Sequence, residues 1–386
     1  MPSTTTSSSG PTTPASRIAR ARRRPASTRS RYMAEGYRGH HPDRSGVARR
    51  RYPPRVRRLL LLANPAASGF TGAAFREVRT ALAEDWEVAA EWPDDAVDAR
   101  RRAAAAAAGG VDAVAAMGGD GIVHHVANGL VGTDTALAIV PAGTTNVLAR
   151  ILGLPSRPAA AARRLARLPA TPTPMLRVEA VGVDGERRIE YATFAAGVGY
   201  DADVVAAAER RPHAKLRLGG VHYATTAISK LLLDWRGRVP NLSVSCDGER
   251  VDALALLTQV YGPYTYFGKV ALYLTPERHA GFASLAAGDL EVHRSAELFL
   301  RAILRRPVPE RLGTRIWKDF AEIAIEAEPP APYEADGEHL GMAVELRLSP
   351  VPEAIRILRD PVIPRGGGSR FGRGRGSRFL RRRTAS

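Results

Sequence analysis

Cysteine is almost absent from this sequence, and long apolar runs are absent altogether. Cys246 is the single cysteine among 386 residues, so no intrachain disulfide can form and no cysteine-based zinc site is expected. The strongest candidates for a membrane span, at 59–63 and 253–260, have only the length of strands, whereas a helix that crosses a bilayer needs about 18 apolar residues or more. We therefore expect a cytoplasmic protein without a transmembrane span.

Acidic residues are scarce at both ends of the chain. The net charge is +13 over residues 1–58 and +8 over residues 365–386. Because the net charge of the whole chain is +17, the stretch between the two ends has a net charge of −4. The basic charge therefore gives no reason to expect a specific nucleic-acid-binding cleft in the folded part. The ends are rich in Gly, Ser, Pro and Arg, which predicts disordered tails over 1–56 and 363–386. Such tails can bind anionic lipid, or RNA without sequence preference, and the first is also compatible with a transit peptide.

Between the tails, apolar runs alternate with helical patterns as far as about residue 170. This alternation predicts a parallel sheet covered by helices, with strands near 59–63, 86–92, 111–117 and 136–140 and helices near 71–83, 96–108, 122–130 and 145–152. After it, short β-like runs dominate, with one helix near Tyr223–Trp235. The predicted fold is an α/β domain over 57–170 followed by an all-β, sandwich-like domain over 171–362, whose last strands are expected to pack back towards the first domain.

Three turns that follow predicted strands carry small or polar residues. Met117–Gly121 reads MGGDG and lies between a strand and a helix, where glycines let backbone N–H groups approach a phosphate. Asn64–Gly69 reads NPAASG, and Pro141–Asn146 reads PAGTTN. Because the carboxyl ends of parallel strands meet at one edge of a sheet, we expect the three turns to lie together around a ligand. The alternative is three ordinary helix caps, since MGGDG is neither a Walker A loop nor a dinucleotide fingerprint.

These turns and two later motifs resemble those of the bacterial diacylglycerol kinase-like lipid kinases, relatives of sphingosine and ceramide kinases. The five motifs, in chain order over about 58–360, are NPAASG, GGDGIVHHVANGL, PAGTTNVLARILGLP, AAGVGYDADVV and the DGE of Asp336–Glu338. The resemblance implies a nucleotide-binding α/β domain shared with 6-phosphofructokinases and NAD kinases. It further implies that ATP and a lipid meet between this domain and the β-domain.

The resemblance also assigns roles to individual residues. Glu338 corresponds to the family's general base, and Asp120 would orient the phosphates directly or through Mg²⁺. Asp336 would support Glu338 or cap its turn, and Asp289 is the candidate ligand for a second, accessory Mg²⁺. The residues expected on the ATP side are Asn64, Ser68, Gly69, Gly118, Gly119, Asp120, Gly121, Thr144 and Asn146. His125 is a further candidate, which would contact a phosphate; the alternative is that it only faces solvent on its helix.

Five features depart from the family's pattern. Ile122 and His125 replace a Thr and a Glu, Val147 stands where the family often has Asp, and Ala287 stands in the Asp-Gly element of the accessory metal site. The usual Thr after the second strand is also missing from the segment EWPDDA. The leading hypothesis is an ATP-dependent kinase that visits the membrane surface and phosphorylates diacylglycerol or a related lipid. The alternatives are a catalytically impaired nucleotide-binding pseudokinase or regulatory protein of the same fold, and an enzyme like the NAD kinases. The oligomeric state is left open, a homodimer included.

Overall fold

The computed structural model describes residues 56–209, 226–277, 281–309 and 313–362. The predicted basic tails therefore fall outside the described residues, except for Val56. The helices are α1 (Gly72–Ala83), α2 (Ala96–Ala108), α3 (Asp120–Leu130), α4 (Val147–Ile151), α5 (Pro158–Leu165), α6 (Tyr200–Glu209) and α7 (Val292–Leu304). The strands are β1 (Arg58–Ala63), β2 (Glu87–Glu91), β3 (Ala113–Gly118), β4 (Ala136–Pro141), β5 (Ala170–Gly182), β6 (Arg187–Ala192), β7 (Ala195–Gly199), β8 (Leu242–Cys246), β9 (Glu249–Ala253), β10 (Ala255–Gln259), β11 (Thr265–Phe267), β12 (Val270–Leu272), β13 (Ala283–Ala287), β14 (Thr314–Lys318), β15 (Ile323–Ala335) and β16 (Glu338–Leu358).

The first part of the chain forms a parallel sheet with the order β2-β1-β3-β4. β1 pairs in parallel with β2 and β3, and β3 pairs in parallel with β4. Every residue of β3 and β4 is buried, as is every residue of β1 except its first. Full burial of successive residues requires cover on both faces of the sheet, which is why these strands read as unbroken apolar runs. The predicted α/β class is confirmed.

The second part consists mainly of antiparallel strands, as predicted. β15 pairs along most of its length with β16, the longest strand, and β16 pairs on its other edge with β5. Near its end, Arg356 and Ile357 of β16 pair in parallel with β4. β16 therefore joins the antiparallel strands to the parallel ones, and the described residues contain a single hydrogen-bonded network of fourteen strands beside the small β11-β12 pair.

Helices α6 and α7 were not predicted from the sequence, where one helix near Tyr223–Trp235 was expected in this part. Of that expected helix, the described residues are helical over 226–230 and form a π-helical turn over Leu231–Trp235, with Leu231 and Trp235 buried. α6 starts directly after β7. Asp201 and Asp203 lie in its first turn, where acidic side chains interact favourably with the positive end of the helix dipole. Within the described ranges, no helix is both long and apolar enough to span a bilayer.

Candidate active site

Three turns at the carboxyl edge of the parallel sheet are tied together by backbone hydrogen bonds. The N–H of Gly69 donates to the carbonyl of Ala142 at 2.7 Å, and the N–H of Ala142 donates to the carbonyl of Gly118 at 2.8 Å. The N–H of Asn64 donates to the carbonyl of Met117 at 2.9 Å. The turns after β1, β3 and β4 therefore lie side by side, as parallel strands require.

Glycine is needed where the second and third of these turns touch. A Cβ added to Gly143 would overlap the Cα of Gly119, and one added to Gly118 would lie 2.6 Å from Cγ2 of Ile122. Gly119 is the N-cap residue of α3, and no side chain caps this end of the helix. The first N–H groups of α3 therefore face the cavity side without a side-chain cap, an arrangement that favours a phosphate.

Two of the residues predicted to contact the nucleotide, Ser68 and Thr144, lie next to each other across two turns, whereas a third, Asn146, forms hydrogen bonds within its own turn. Oγ of Ser68 and Oγ1 of Thr144 lie 3.0 Å apart, and both residues line a cavity. Asn146 has a left-handed backbone with φ of 50°. Its amide oxygen accepts from the N–H of Gly143 at 2.9 Å, and its amide nitrogen donates to the carbonyl of Gly143 at 2.7 Å. Asn146 thus shapes its turn, whereas Ser68 and Thr144 present hydroxyl groups to the cavity.

Glu338 reaches the start of α3 from the far end of the chain. It is the first residue of β16 and follows the turn that joins β15 to β16. A Cβ added to Gly121 would overlap Oε1 of Glu338, so the carboxylate lies directly against the backbone of the MGGDG segment. Asp120 lines the same cavity, and its Oδ1 accepts a long hydrogen bond of 3.4 Å from the N–H of Leu148. Two of the carboxyl groups singled out in the sequence are therefore neighbours in space.

Asp336 is a buried anchor of the turn that carries Glu338. Its carboxylate accepts the N–H of Thr193 at 2.8 and 3.0 Å, the hydroxyl of Thr193 at 2.9 Å and the N–H of Phe194 at 2.9 Å. Its own N–H donates to the carbonyl of Ala195 at 2.9 Å. These bonds occupy the acceptor sites of the carboxylate and fix the turn against the start of β7. These hydrogen bonds favour the expected role in which Asp336 supports Glu338.

His124, which sequence reasoning passed over in favour of its neighbour, is the buried partner of Asp336. Its Nδ1 lies 2.9 Å from Oδ2 of Asp336, and its side chain is fully buried. Burial disfavours the charged imidazolium, but the hydrogen bond to Asp336 and the charges of Glu190 and Glu338 outweigh burial, so the pKa of His124 is raised. The pair connects α3, which begins in the MGGDG segment, to the turn that carries Glu338.

His125 is half-buried and does not line the cavity. Its ring packs edge-on against that of His124, with the two centroids 5.0 Å apart. Burial and the charges of His124 and Arg100 lower the pKa of His125 to about 4, so its ring is neutral at neutral pH. The substitution of His for the family's Glu therefore places a neutral ring behind the cavity, and not a cation within it.

Two carboxyl groups in the cavity wall, one of them fully buried, were not predicted from the sequence. Asp201, at the start of α6, and Glu334, near the end of β15, both accept a hydrogen bond from the hydroxyl of Tyr264, at 3.3 Å for Glu334. Burial raises the pKa of Asp201 to about 6 and that of Glu334 well above its ordinary value. The second oxygen of Glu334 accepts the N–H of Gly337 at 2.7 Å. The pair therefore contacts the backbone of the residue that precedes Glu338.

The cavity has a volume of about 380 Å³, within the range of small-molecule sites. Beside it, the guanidinium of Arg150 lies 3.5 Å above the ring of Tyr266, which belongs to the lining, and donates to the carbonyl of Gly268 at 2.8 Å. The polar side chains of the lining come from the three turns and from the start of β16, namely Asn64, Ser68, Asp120, Thr144 and Glu338. Its apolar and aromatic side chains include Phe194, Val204, Val205, Ala227, Tyr266 and Phe267. Of the remaining residues expected here, Gly119, Gly121 and Asp336 also line the cavity, whereas Gly69, Gly118, His125 and Asn146 stand behind it.

Asp289 lies outside the cavity lining. It forms an ion pair with Arg294, and its Oδ1 accepts the N–H of Glu291 at 2.7 Å. In the described part of the chain, no three or more His, Cys, Asp or Glu side chains are grouped to hold a metal ion. Mg²⁺ is commonly bound by one or two carboxylates together with phosphate oxygens. The carboxylate of Asp120, which lines the cavity, fits a Mg²⁺ ion that arrives with a nucleotide better than one held by protein alone.

Comparison with known proteins matches residues 58–178 to the family model of the diacylglycerol kinase catalytic domain. A probable lipid kinase, YegS-like, of Stenotrophomonas maltophilia is 29% identical over 305 residues, which cover 73% of this chain and 89% of that protein. A diacylglycerol kinase of Mycobacterium tuberculosis H37Rv is 49% identical over 69 residues, which cover 18% of this chain and 22% of that protein. The matched family segment contains all three turns of the cavity.

Solved structures show the same architecture. The crystal structure of a diacylglycerol kinase from Bacillus anthracis Sterne has a TM-score of 0.59 and covers 81% of this chain and 100% of its own. A second structure from the same organism has a TM-score of 0.63 with the same coverage. Their identities to this chain are 16% and 18%, so the likeness establishes the fold alone.

Proposed function

We propose that this chain, which belongs to the diacylglycerol kinase-like family of lipid kinases, transfers the γ-phosphate of ATP to a hydroxyl group of a lipid. Diacylglycerol or a related lipid is the expected acceptor. The observation that carries the proposal is the carboxylate of Glu338 lying against Gly121 at the start of α3. A group able to accept a proton and a helix start suited to a phosphate thereby share one cavity.

The nucleotide would bind along the three turns. Ser68 and Thr144 offer hydroxyl groups that can donate to phosphate or ribose oxygens, and Asn64 lines the cavity beside them. The N–H groups at the start of α3 would face the phosphates, where the helix dipole favours negative charge. Mg²⁺, held by Asp120 together with the phosphates, would neutralise charge on the transferred group.

Glu338 would act as the general base. Its carboxylate takes the proton of the acceptor hydroxyl as the oxygen of that hydroxyl bonds to the γ-phosphorus, while the bond from phosphorus to the bridging oxygen breaks and ADP leaves. Asp336 cannot serve the same purpose because its oxygens already accept hydrogen bonds from Thr193 and Phe194. It would instead hold the turn so that the base keeps its place against Gly121.

The acceptor would be a neutral lipid, since Glu334 in the inner wall is buried and burial raises its pKa well above the ordinary value. The neutral form of this carboxyl group lowers the negative charge that an uncharged headgroup would meet. Acyl chains would lie along the apolar lining formed by Phe194, Val204, Val205, Ala227 and Phe267. Such a substrate resides in a bilayer, so the enzyme would work as a peripheral cytoplasmic protein, its basic tails adding attraction to anionic lipid.

A regulatory protein that binds the nucleotide without turnover is the second candidate. The observation that favours it is Val147, a buried apolar residue in the cavity lining where the family often has Asp. The first candidate remains the better supported one because Asp120 and Glu338 are both in the cavity. ATP affinity measured beside turnover separates the two proposals.

The test is transfer of label from γ-labelled ATP to lipid. The purified full chain would be incubated with Mg²⁺ and mixed micelles that contain diacylglycerol, monoacylglycerol, ceramide, sphingosine or phosphatidylglycerol. We expect a labelled product from a neutral acceptor, and Glu338→Gln should lower its rate of formation by at least about 100-fold without weakening ATP binding. ATP binding with no labelled product from any acceptor would favour the regulatory protein, and absence of ATP binding would reject both proposals.

A further inference from the structure

Helix α7 exposes a stripe of apolar side chains. Val292, Phe299, Leu300 and Leu304 have 38%, 42%, 54% and 54% of their surface exposed, and Ala296 is exposed between them. Val292, Ala296, Leu300 and Leu304 follow one another at intervals of four residues, and Phe299 lies three residues after Ala296, so all five lie on one face of the helix. An amphipathic helix on a protein surface normally buries that face, so an apolar stripe in this position indicates a partner.

The side of α7 that lies towards the protein packs Leu298, Ala302 and Ile303 against the core, and two partly buried ion pairs lie beside it. Arg294 is paired with Asp289, and Arg301 is paired with Glu297 at 2.8 Å; all four side chains are partly buried. Only Ala302 of this helix is fully buried. The orientation of α7 is fixed by the packing of Leu298, Ala302 and Ile303 against the core and by the hydrogen bond from the N–H of Tyr273 to the carbonyl of Ala302 at 3.3 Å. The apolar stripe therefore faces outward in a defined geometry.

The apolar stripe is continuous with the cavity. The ring of Phe299 contacts that of Phe267 edge-on, with the centroids 5.4 Å apart, and Phe267 is part of the cavity lining. Val270, in the strand after Phe267, is 44% exposed. An apolar path thus runs from the outer face of α7 past Phe267 to the cavity.

Positive charge surrounds the stripe. Lys269 is exposed at the tip of the β11-β12 hairpin, and Arg306 is exposed beyond the end of α7. Arg305 lies over the ring of Tyr273 and donates to its hydroxyl at 3.0 Å. Glu291, at the start of the helix, is the one exposed acid in the described stretch 290–306. Basic groups around exposed aromatic and aliphatic side chains complement the negative surface of an anionic bilayer.

We propose that the α7 surface, formed by Val292, Ala296, Phe299, Leu300 and Leu304 with Lys269 and Val270 beside them, docks on an anionic lipid bilayer and sets the cavity mouth against it. The proposal deepens the proposed function, since an acceptor held in a bilayer must leave it through an apolar path. Phe299 and Phe267 provide that path. A bilayer explains the stripe, the basic rim and the continuity with the cavity together.

The experiment measures binding to vesicles in the absence of ATP. The full chain would be co-sedimented with phosphatidylcholine vesicles with and without phosphatidylglycerol, at low and at high salt, beside the double variant Leu300→Glu, Leu304→Glu. Loss of two apolar contacts and gain of two negative charges should weaken binding to the anionic vesicles at least about tenfold. The matched control carries Val97→Glu and Val183→Glu, which introduce the same two negative charges at valines that are exposed outside α7, and it should bind like the unaltered chain.

Several results would overturn the proposal. Equal binding of the double variant and the control would exclude α7 from the interface, and complete loss of binding of the unaltered chain at high salt would show that the apolar stripe contributes nothing to binding. A dimer in the unaltered chain that becomes a monomer in the double variant, measured by light scattering, would show that a second copy covers the surface.

The same variants separate this proposal from the kinase proposal. The double variant should phosphorylate a short-chain, water-soluble diacylglycerol at the rate of the unaltered chain, and lose activity only towards diacylglycerol in vesicles. Equal loss towards both acceptors would mean that the helix supports the cavity and does not dock. If no acceptor is phosphorylated by any variant, the kinase proposal fails, while a difference in vesicle binding would still support docking.

Discussion

The carboxylate of Glu338 occupies the space that a side chain on Gly121 would need. Gly121 is the second residue of α3, and Glu338 begins β16, so the contact joins the nucleotide-side turn to the turn between β15 and β16. A glycine in the first turn of a helix lowers the stability of that helix relative to alanine. Its presence here lets a carboxylate approach the helix backbone.

Gly121→Ala should therefore separate stability from activity. The new methyl group meets the end of a flexible side chain, so the fold can accommodate it, and helix propensity favours alanine by up to about 1 kcal/mol. The carboxylate must move away, however, and a displacement of about 1 Å in a reacting group can lower the rate roughly 100-fold. We expect the midpoint of thermal unfolding to be unchanged or raised. We expect kcat to fall by at least about tenfold.

The control for this substitution is Gly72→Ala in the first turn of α1. There the added Cβ meets only Nη1 of Arg76 at an ordinary 3.6 Å, so kcat should not change. If Gly121→Ala retained full kcat, the position of the Glu338 carboxylate against α3 would be irrelevant to turnover.

Asp120→Asn should lower turnover by at least about 100-fold, the scale expected for a group that orients phosphates or holds their metal ion. Since the amide keeps the shape of the carboxylate but not its charge, the loss should be accompanied by a higher Mg²⁺ concentration for half-maximal rate. Steady-state kinetics over a Mg²⁺ series would measure both effects. A normal rate with an unchanged Mg²⁺ requirement would remove Asp120 from the proposed site.

His124→Asn should destabilise the protein more than His125→Asn. Asp336 would lose one of its hydrogen-bond donors in a buried site, which costs about 2 kcal/mol, whereas the half-buried His125 makes no comparable bond. Because the folded-state pKa of His124 is raised, its contribution is complete below the ordinary histidine pKa of about 6.5 and declines as the pH rises through the raised value. Urea unfolding of both variants at several pH values would test this, and equal losses would contradict it.

Asp201→Asn should change how stability depends on pH. The neighbouring ionisable groups are Glu334 and Tyr264, with Asp336 adding negative charge, and burial raises the pKa of both carboxyl groups of the pair. A raised carboxyl pKa means that the folded state binds more protons, so stability falls as the pH rises from the ordinary value of about 4 through the raised values.

The asparagine variant lacks one of these titrating groups, so its free energy of unfolding should fall less over the same interval. Asp252→Asn, which removes an exposed carboxylate of β9, is the control and should follow the unaltered chain. Parallel curves for all three proteins would mean that the buried pair does not titrate with folding.

Much of the parallel sheet could be predicted because local sequence determines it. Ala96–Ala108 was predicted as a helix and is α2, since its alanines favour that conformation over a full 13 residues. The three turns were expected together because the direction of parallel strands places them at one edge. The roles of Asp120 and Glu338 stay predictions, although the structure brings them into one cavity.

What could not be predicted depends on contacts between distant parts of the chain. His124 and Asp336 are 212 positions apart, and the available signal was only that His124 lies among apolar residues of an amphipathic helix. Asp201 likewise follows an apolar run. Its partners Tyr264 and Glu334 are distant in sequence, and only tertiary packing, such as that of α6 against β15, brings them to it. The helical period of α7 is visible in its sequence, yet nothing local determines which face turns outward.

The long strand β16 also limits how this chain can be divided. It begins beside α3 with Glu338 and, at Arg356 and Ile357, completes the edge of the parallel sheet next to β4. A fragment that stopped before β16 would expose the backbone of a fully apolar strand, and such an open edge pairs readily with other chains. Truncation after the first 170 residues should therefore favour aggregation, since the pairing of β16 with the start of β4 would be lost.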